Sequence, residues 1–184
     1  MAKTYKEISP KLAAWLERQR LFFVATAPLS PEGHVNVSPK GDLRWFRILG
    51  PNRVVYLDFV GSGAETIAHA KENGRIVLMF CAFEGPPRIV RLHGRARAVL
   101  VDDPEFAELR ALFEESSDAV RAVIVADVAR VGDSCATAYP SCASTACERS
   151  TTPGWTRRCV TAGSTTTSRS TTRRASTVYR RSEP

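Results

Sequence analysis

The sequence predicts a mainly β fold with some helix (α+β): a closed or nearly closed antiparallel barrel with a few peripheral helices. Three observations carry that expectation. Six or more short apolar or alternating runs follow one another between residues 21 and 131. The segments between them are mostly turns too short for crossover helices, so neighbouring strands must pair antiparallel. Only three stretches have helical spacing, and none interrupts the strands often enough to build a parallel sheet.

Taken in order, Ser9-Pro10 is a helix start, a cap followed by a first-turn proline, and Leu12, Trp15 and Leu16 continue it towards Arg20. Residues 21–26 (Leu-Phe-Phe-Val-Ala-Thr) read as a buried strand, and Pro28 to Gly33 as a turn. The next strand, His34-Val35-Asn36-Val37-Ser38-Pro39-Lys40-Gly41, is the one around which the chain is organised. Its alternation predicts that Val35 and Val37 bury while Asn36 and Ser38 line a cleft, and that Pro39 ends regular pairing just before Lys40. Ser38 and Lys40 would then converge on an anionic group such as a phosphate. Residues 43–49 and 53–59 give two more strands around Gly50-Pro51-Asn52.

Beyond Gly61-Ser62-Gly63, residues 64–73 are helical by spacing, with Gly74 as the stop. Ser62 near that helix start is a second place that favours an anion, or else an ordinary cap. Residues 76–83 form an apolar strand. Residues 88–101 form a long alternating one that sets Ile89, Arg91, His93 and Arg95 on one face, expected to be a solvated barrel exterior. Asp102 to Glu105 cap a helix running to Glu115, and residues 119–131 close the set. His34 and His69 stand without ligand spacing, so no metal site is expected.

Charge and composition divide the chain at about residue 135. Of its 26 Lys+Arg and 19 Asp+Glu, residues 136–184 hold eight and two, a net charge of +6 that leaves +1 for residues 1–135. The basicity belongs to the tail, which makes nucleic acid an unfavoured partner of the barrel. Five cysteines with neither a secretory segment nor Cys-x-x-Cys pairs favour neither a disulfide framework nor zinc. No apolar run is long enough for a bilayer, so a cytoplasmic protein without membrane contact is expected.

The motifs Asn36-Val37-Ser38-Pro39-Lys40-Gly41, Val54-Val55-Tyr56-Leu57-Asp58 leading to Gly61-Ser62-Gly63, Asn73-Gly74-Arg75-Ile76-Val77-Leu78-Met79-Phe80 and Arg88-Ile89-Val90-Arg91-Leu92-His93-Gly94 resemble, in their order and spacing, the pyridoxamine 5′-phosphate oxidase-like FMN-binding split barrels. The resemblance is to general members rather than the vitamin B6 enzyme, and covers about residues 7–135. It implies a split barrel binding FMN at a homodimer interface. Lys40 would contact the phosphate with help from Ser38 and Ser62, residues 35–38 (Val35, Asn36, Val37, Ser38) would lie beside the isoalloxazine, and Asp58 and Ser62 would border the cofactor. The family's vitamin B6 enzymes carry Arg-Lys where Gly63 and Ala64 stand, and a flavin-contacting glutamine where Ile89 stands. These departures disfavour pyridoxamine phosphate as substrate.

The expected function is an FMN-dependent oxidoreductase acting on a small-molecule substrate, in which the flavin performs the redox step. The alternatives are a non-catalytic flavin, deazaflavin or haem carrier, inactive if its native C-terminus is lost, and a deazaflavin in place of FMN.

From Ala136 onward the chain lacks Leu, Ile, Phe, Met, Asn, Gln, Asp, Lys and His, and 20 of 49 residues are Ser or Thr. Such a segment cannot bury a core and is expected to be disordered. A mucin-like or basic tail is one account; a reading-frame change is the other. If one G is supposed lost after the Cys135 codon, residues 135–140 admit the codons TGC-GCT-ACG-GCG-TAC-CC, and restoring that base gives TGC-GGC-TAC-GGC-GTA-CC, which reads Cys-Gly-Tyr-Gly-Val-Pro, a string resembling family members. The same frame permits a family-like terminus over residues 175–181, and agreement at both ends favours the frame change. The chain is thus divided into a barrel domain, 1–135, and an out-of-frame tail, 136–184.

Overall fold

A computed structural model of the chain describes residues 3–61, 63–115 and 117–134. The expectations for Ser62 and for the tail from Cys135 onward fall outside the described residues. Eight strands form one antiparallel sheet: β1 (Lys3–Tyr5), β2 (Leu21–Thr26), β3 (Asn36–Gly41), β4 (Phe46–Gly50), β5 (Arg53–Phe59), β6 (Arg75–Cys81), β7 (Ile89–Leu100) and β8 (Val120–Ser134). Their order is β3-β2-β6-β7-β8-β5-β4, with β1 added to the end of β8. The sheet curls into a split barrel whose two edges, β3 and β4, do not pair with each other.

Helix α1 (Pro10–Leu16) starts where expected, with the Leu12 N–H donating to Ser9 Oγ at 3.3 Å. It stops short of Arg20 because Arg18 and Gln19 tighten onto the Trp15 and Leu16 carbonyls. Leu12 and Leu16 bury against the barrel interior. Helix α2 (Glu65–Glu72) ends before Gly74, whose φ of +71° is the left-handed conformation that glycine accepts. Helix α3 (Phe106–Arg110) is shorter than the expected run. Asp103 turns back to accept from the Leu100 N–H instead of serving the helix. Residues 43–45 form a 3₁₀ turn rather than strand, because Asp42 accepts from the Arg44 N–H at 2.9 Å and tightens that segment. β1 was not foreseen, since three exposed residues have no periodicity to read.

Two apolar clusters lie on opposite faces of β5 and β8. The interior one gathers Phe22, Val24, Phe46, Tyr56, Leu78, Phe80, Leu92 and Ile124. Phe22 is at its centre, 5.3 Å from the rings of Phe46 and Phe80 and 5.4 Å from Tyr56. The second cluster sets Val55, Leu57, Val123 and Val125 against Val99 and Phe113. Among the described residues no helix is long and apolar enough to cross a membrane.

β8 is irregular twice. Opposite β7, Gly94 pairs with Val128 and His93 with Arg130, so one residue bulges. There the backbones approach so closely that a Cβ on Gly94 would lie 2.0 Å from the Asp127 carbonyl oxygen. Opposite β5, Asp58 pairs with Ala122 and Phe59 with Val120, leaving Arg121 as the extra residue. Replacement Gly94→Ala is expected to lower unfolding stability by more than about 2 kcal/mol in urea titration, because neither ladder can shift without losing hydrogen bonds.

Candidate functional site

The split of the barrel is where the candidate residues meet. β4 begins at Phe46 opposite Tyr56, so Leu57, Asp58 and Phe59 run on past its end without a β4 neighbour. Across that gap Lys40, from β3, donates through Nζ to Asp58 Oδ1 at 3.2 Å. Arg121, turned out of the β8 ladder by its bulge, donates Nε–H to Asp58 Oδ2 at 2.7 Å and Nη2–H to the Gly63 carbonyl at 2.6 Å. The Asp58 side chain is 1% exposed, while those of Lys40 and Arg121 are 27% and 23% exposed. A buried carboxylate needs such partners on both oxygens, since desolvating it alone would be costly.

A cavity of about 200 Å³ opens beside this cluster, walled by Phe22, Lys40, Trp45, Tyr56 and Phe59 among others. Trp45 is fixed there by Phe59, 4.5 Å between centroids, and by an Nε1–H bond to Glu115 at 3.0 Å. Tyr56 is fully buried, yet its hydroxyl has no hydrogen-bond partner among the described residues. Burial pushes the phenol well above its ordinary pKa, and the charge of Asp58 adds to that, so the hydroxyl stays neutral. An orphaned buried hydroxyl is costly unless a guest supplies its partner. The cavity wall itself carries one ammonium, that of Lys40, and one carboxylate, that of Asp42, which is paired with Arg44 at 2.7 Å.

The sequence-predicted residues separate into two groups. Lys40 and Asp58 come together as described. Asn36 faces the interior, but its Nδ2 donates to Thr26 Oγ1 at 3.3 Å and Thr66 Oγ1 at 3.1 Å, and Thr26 bonds His69 Nδ1 at 2.9 Å. Asn36 thus belongs to a polar network tying β3 to α2. Ser38 is half-buried on the same face. The expectation that Val35 and Val37 bury is corrected: they are 69% and 60% exposed. As the edge strand, β3 turns its polar face to Thr26 and α2 and its apolar face outward. Pro39 does not end the strand either. It pairs opposite Phe23, and regular register continues through Gly41, because an edge strand needs no donor on its open side. Arg121 was missed, since in an apolar run it reads as an ordinary outward residue.

Residues 8–135 match the family described as pyridoxamine 5′-phosphate oxidase. The chain belongs to the pyridoxamine 5′-phosphate oxidase family. A curated relative, the pyridoxamine 5′-phosphate oxidase family protein ustO of Aspergillus flavus, is 42% identical over 138 residues, 74% of this chain. The chain spans 55% of that relative's length. Two crystal structures of HupZ from Group A Streptococcus share the fold, with TM-scores of 0.56 and 0.54 at 21% identity; they cover 68% and 67% of this chain and 98% and 91% of their own.

In this pyridoxamine 5′-phosphate oxidase family member the outer sheet face is less solvated than alternation predicts. A depression of about 360 Å³ lies there, lined by Ala25, Val35, Arg75, Val77 and His93 among others. Arg91 and His93 are half-buried rather than free, and only Arg95 is exposed as expected. Desolvation, then the charges of Arg130 and Arg91, lowers the His93 pKa from its ordinary 6.5. The unfolded chain consequently binds more protons than the folded one as pH falls through the ordinary imidazole range, so acidification costs stability. Melting temperature is expected to drop between about pH 7.5 and about pH 5, and less steeply for His93→Gln, as followed by circular dichroism.

Proposed function

We propose that the protein is an FMN-binding oxidoreductase acting on a small molecule, as a homodimer in the cytoplasm. The observation that carries this reading is the ammonium of Lys40 in the wall of a cavity otherwise lined largely by aromatic side chains, at the split between β3 and β5. Family membership supports it, as does the position of Lys40 at the end of the strand that the family motif marks. At about 200 Å³ the cavity is below the roughly 300–1,000 Å³ of sites for drug-sized ligands, so it fits the phosphate end of a flavin rather than its ring.

Lys40 would donate to the phosphate. Ser38, half-buried on the same face of β3, stands two residues from Lys40. Val35 and Val37 leave an apolar edge free on the outside of β3, against which a planar ring could lie and a second copy could close. Bound FMN would supply the hydride or electron transfer, while the protein binds, orients and excludes water.

Purified protein is expected to be yellow, or to quench FMN fluorescence on titration. Colourless protein that leaves the fluorescence unchanged overturns the reading. For Lys40→Ala the FMN affinity is expected to fall about tenfold, the worth of one charge-assisted hydrogen bond, with riboflavin binding unchanged in the same titration.

A further inference from the structure

We propose that Arg121 is the residue that makes the cavity cationic and so selects a ligand ending in a phosphate monoester over its neutral counterpart. The inference rests on the flavin reading for its ligand, but on the charge arrangement alone for its mechanism. A buried carboxylate facing a single ammonium is electrically neutral, and a cavity beside such a pair attracts no anion. Here the carboxylate of Asp58 faces two cations, so that cluster carries a net charge of +1; Asp42, the carboxylate that itself lines the cavity beside Lys40, is neutralised by its ion pair with Arg44 at 2.7 Å.

The geometry divides the work between the two. Arg121 holds Asp58 Oδ2 at 2.7 Å, within the range of a strong charge-assisted bond, whereas Lys40 stands at 3.2 Å from Oδ1, beyond it. Arg121 is further committed by its Nη2 bond to the Gly63 carbonyl at 2.6 Å. Among the described residues Lys40 makes one side-chain hydrogen bond, the long one to Asp58, and it lines the cavity. Arg121 therefore neutralises the buried carboxylate, and Lys40 is left to meet the ligand. The bulge opposite Asp58 and Phe59 is what allows this, because in a regular ladder Arg121 would not be the unpaired residue between their partners.

Titration with FMN and with riboflavin, which differ only in the phosphate, tests the assignment. Wild type is expected to prefer FMN. Arg121→Gln is expected to lose on the order of tenfold in that preference, with riboflavin affinity unchanged. The double variant Asp58→Asn with Arg121→Gln restores a net +1 through Lys40 alone, and is expected to regain the preference. A double variant as indifferent as Arg121→Gln, or an Arg121→Gln variant that loses FMN and riboflavin equally, overturns the proposal. Should Arg121→Gln not fold by circular dichroism, Asp58→Asn decides. With two cations and no carboxylate it must prefer FMN at least as strongly as wild type, and a weaker preference overturns the proposal. Wild type binding neither flavin sinks the flavin reading, and inorganic phosphate then tests Arg121 separately. A melting temperature raised by phosphate in wild type and the double variant but not in Arg121→Gln supports it, and any other pattern overturns it.

Discussion

One buried carboxylate, that of Asp58, spans the place where this sheet fails to close. Strands β3 and β4 are the two ends of the hydrogen-bonded order, and no ladder joins them. An open edge exposes unpaired backbone groups and is usually protected by something other than a further strand. Here the gap is crossed by the Lys40–Asp58 pair, with Arg121 tied in from β8. Such an arrangement is a weak source of stability, because desolvating three charged groups offsets much of their attraction. Its value is positional. It holds β3, β5, β8 and the Gly63 segment in one register beside a cavity whose aromatic walls come from the interior core and the 3₁₀ turn.

The same edge position explains the other polar feature of β3. An edge strand has one paired side, so its inner face must satisfy whatever it meets there. Thr26 is what β2 offers opposite Asn36, and Thr66 and His69 are what α2 offers. Asn36 joins these hydroxyls, the Thr26 hydroxyl is shared with the His69 ring, and Val35 and Val37 are left on the outside. A period-two pattern tells which residues share a face but not which face looks inward. For β3 the usual rule, apolar side in, gave the wrong answer, because the neighbours it needed to predict were themselves polar.

Much of the ladder was legible before the structure. Alternation and apolar runs placed β2, β5, β6, β7 and β8 within a few residues, and Ser9-Pro10 and Gly74 marked a real start and a real stop. The family resemblance assigned Lys40 and Asp58 each to the cofactor's surroundings, but not the ion pair between them. What stayed hidden depends on long-range register. The bulge at Arg121 exists only as a mismatch between two strands more than sixty positions apart, and nothing in the residues beside it signals an extra position. Tyr56 was equally opaque, since an aromatic in a buried strand gives no hint that its hydroxyl will lack a partner. The match to the family ends at residue 135, where the composition changes.

The placement of β8 has a consequence for how the chain assembles. The last of the described strands in sequence is not last in space: it lies between β7 on one side and β5 with β1 on the other. Until residues 120–134 have left the ribosome, β4 with β5 and β2, β3, β6 and β7 are two sheets with raw margins and no common member. Joining Lys3 to Asp133 closes a loop that encompasses almost all of the described chain, a pairing of very long sequence separation, so the sheet becomes continuous only once β8 is in place.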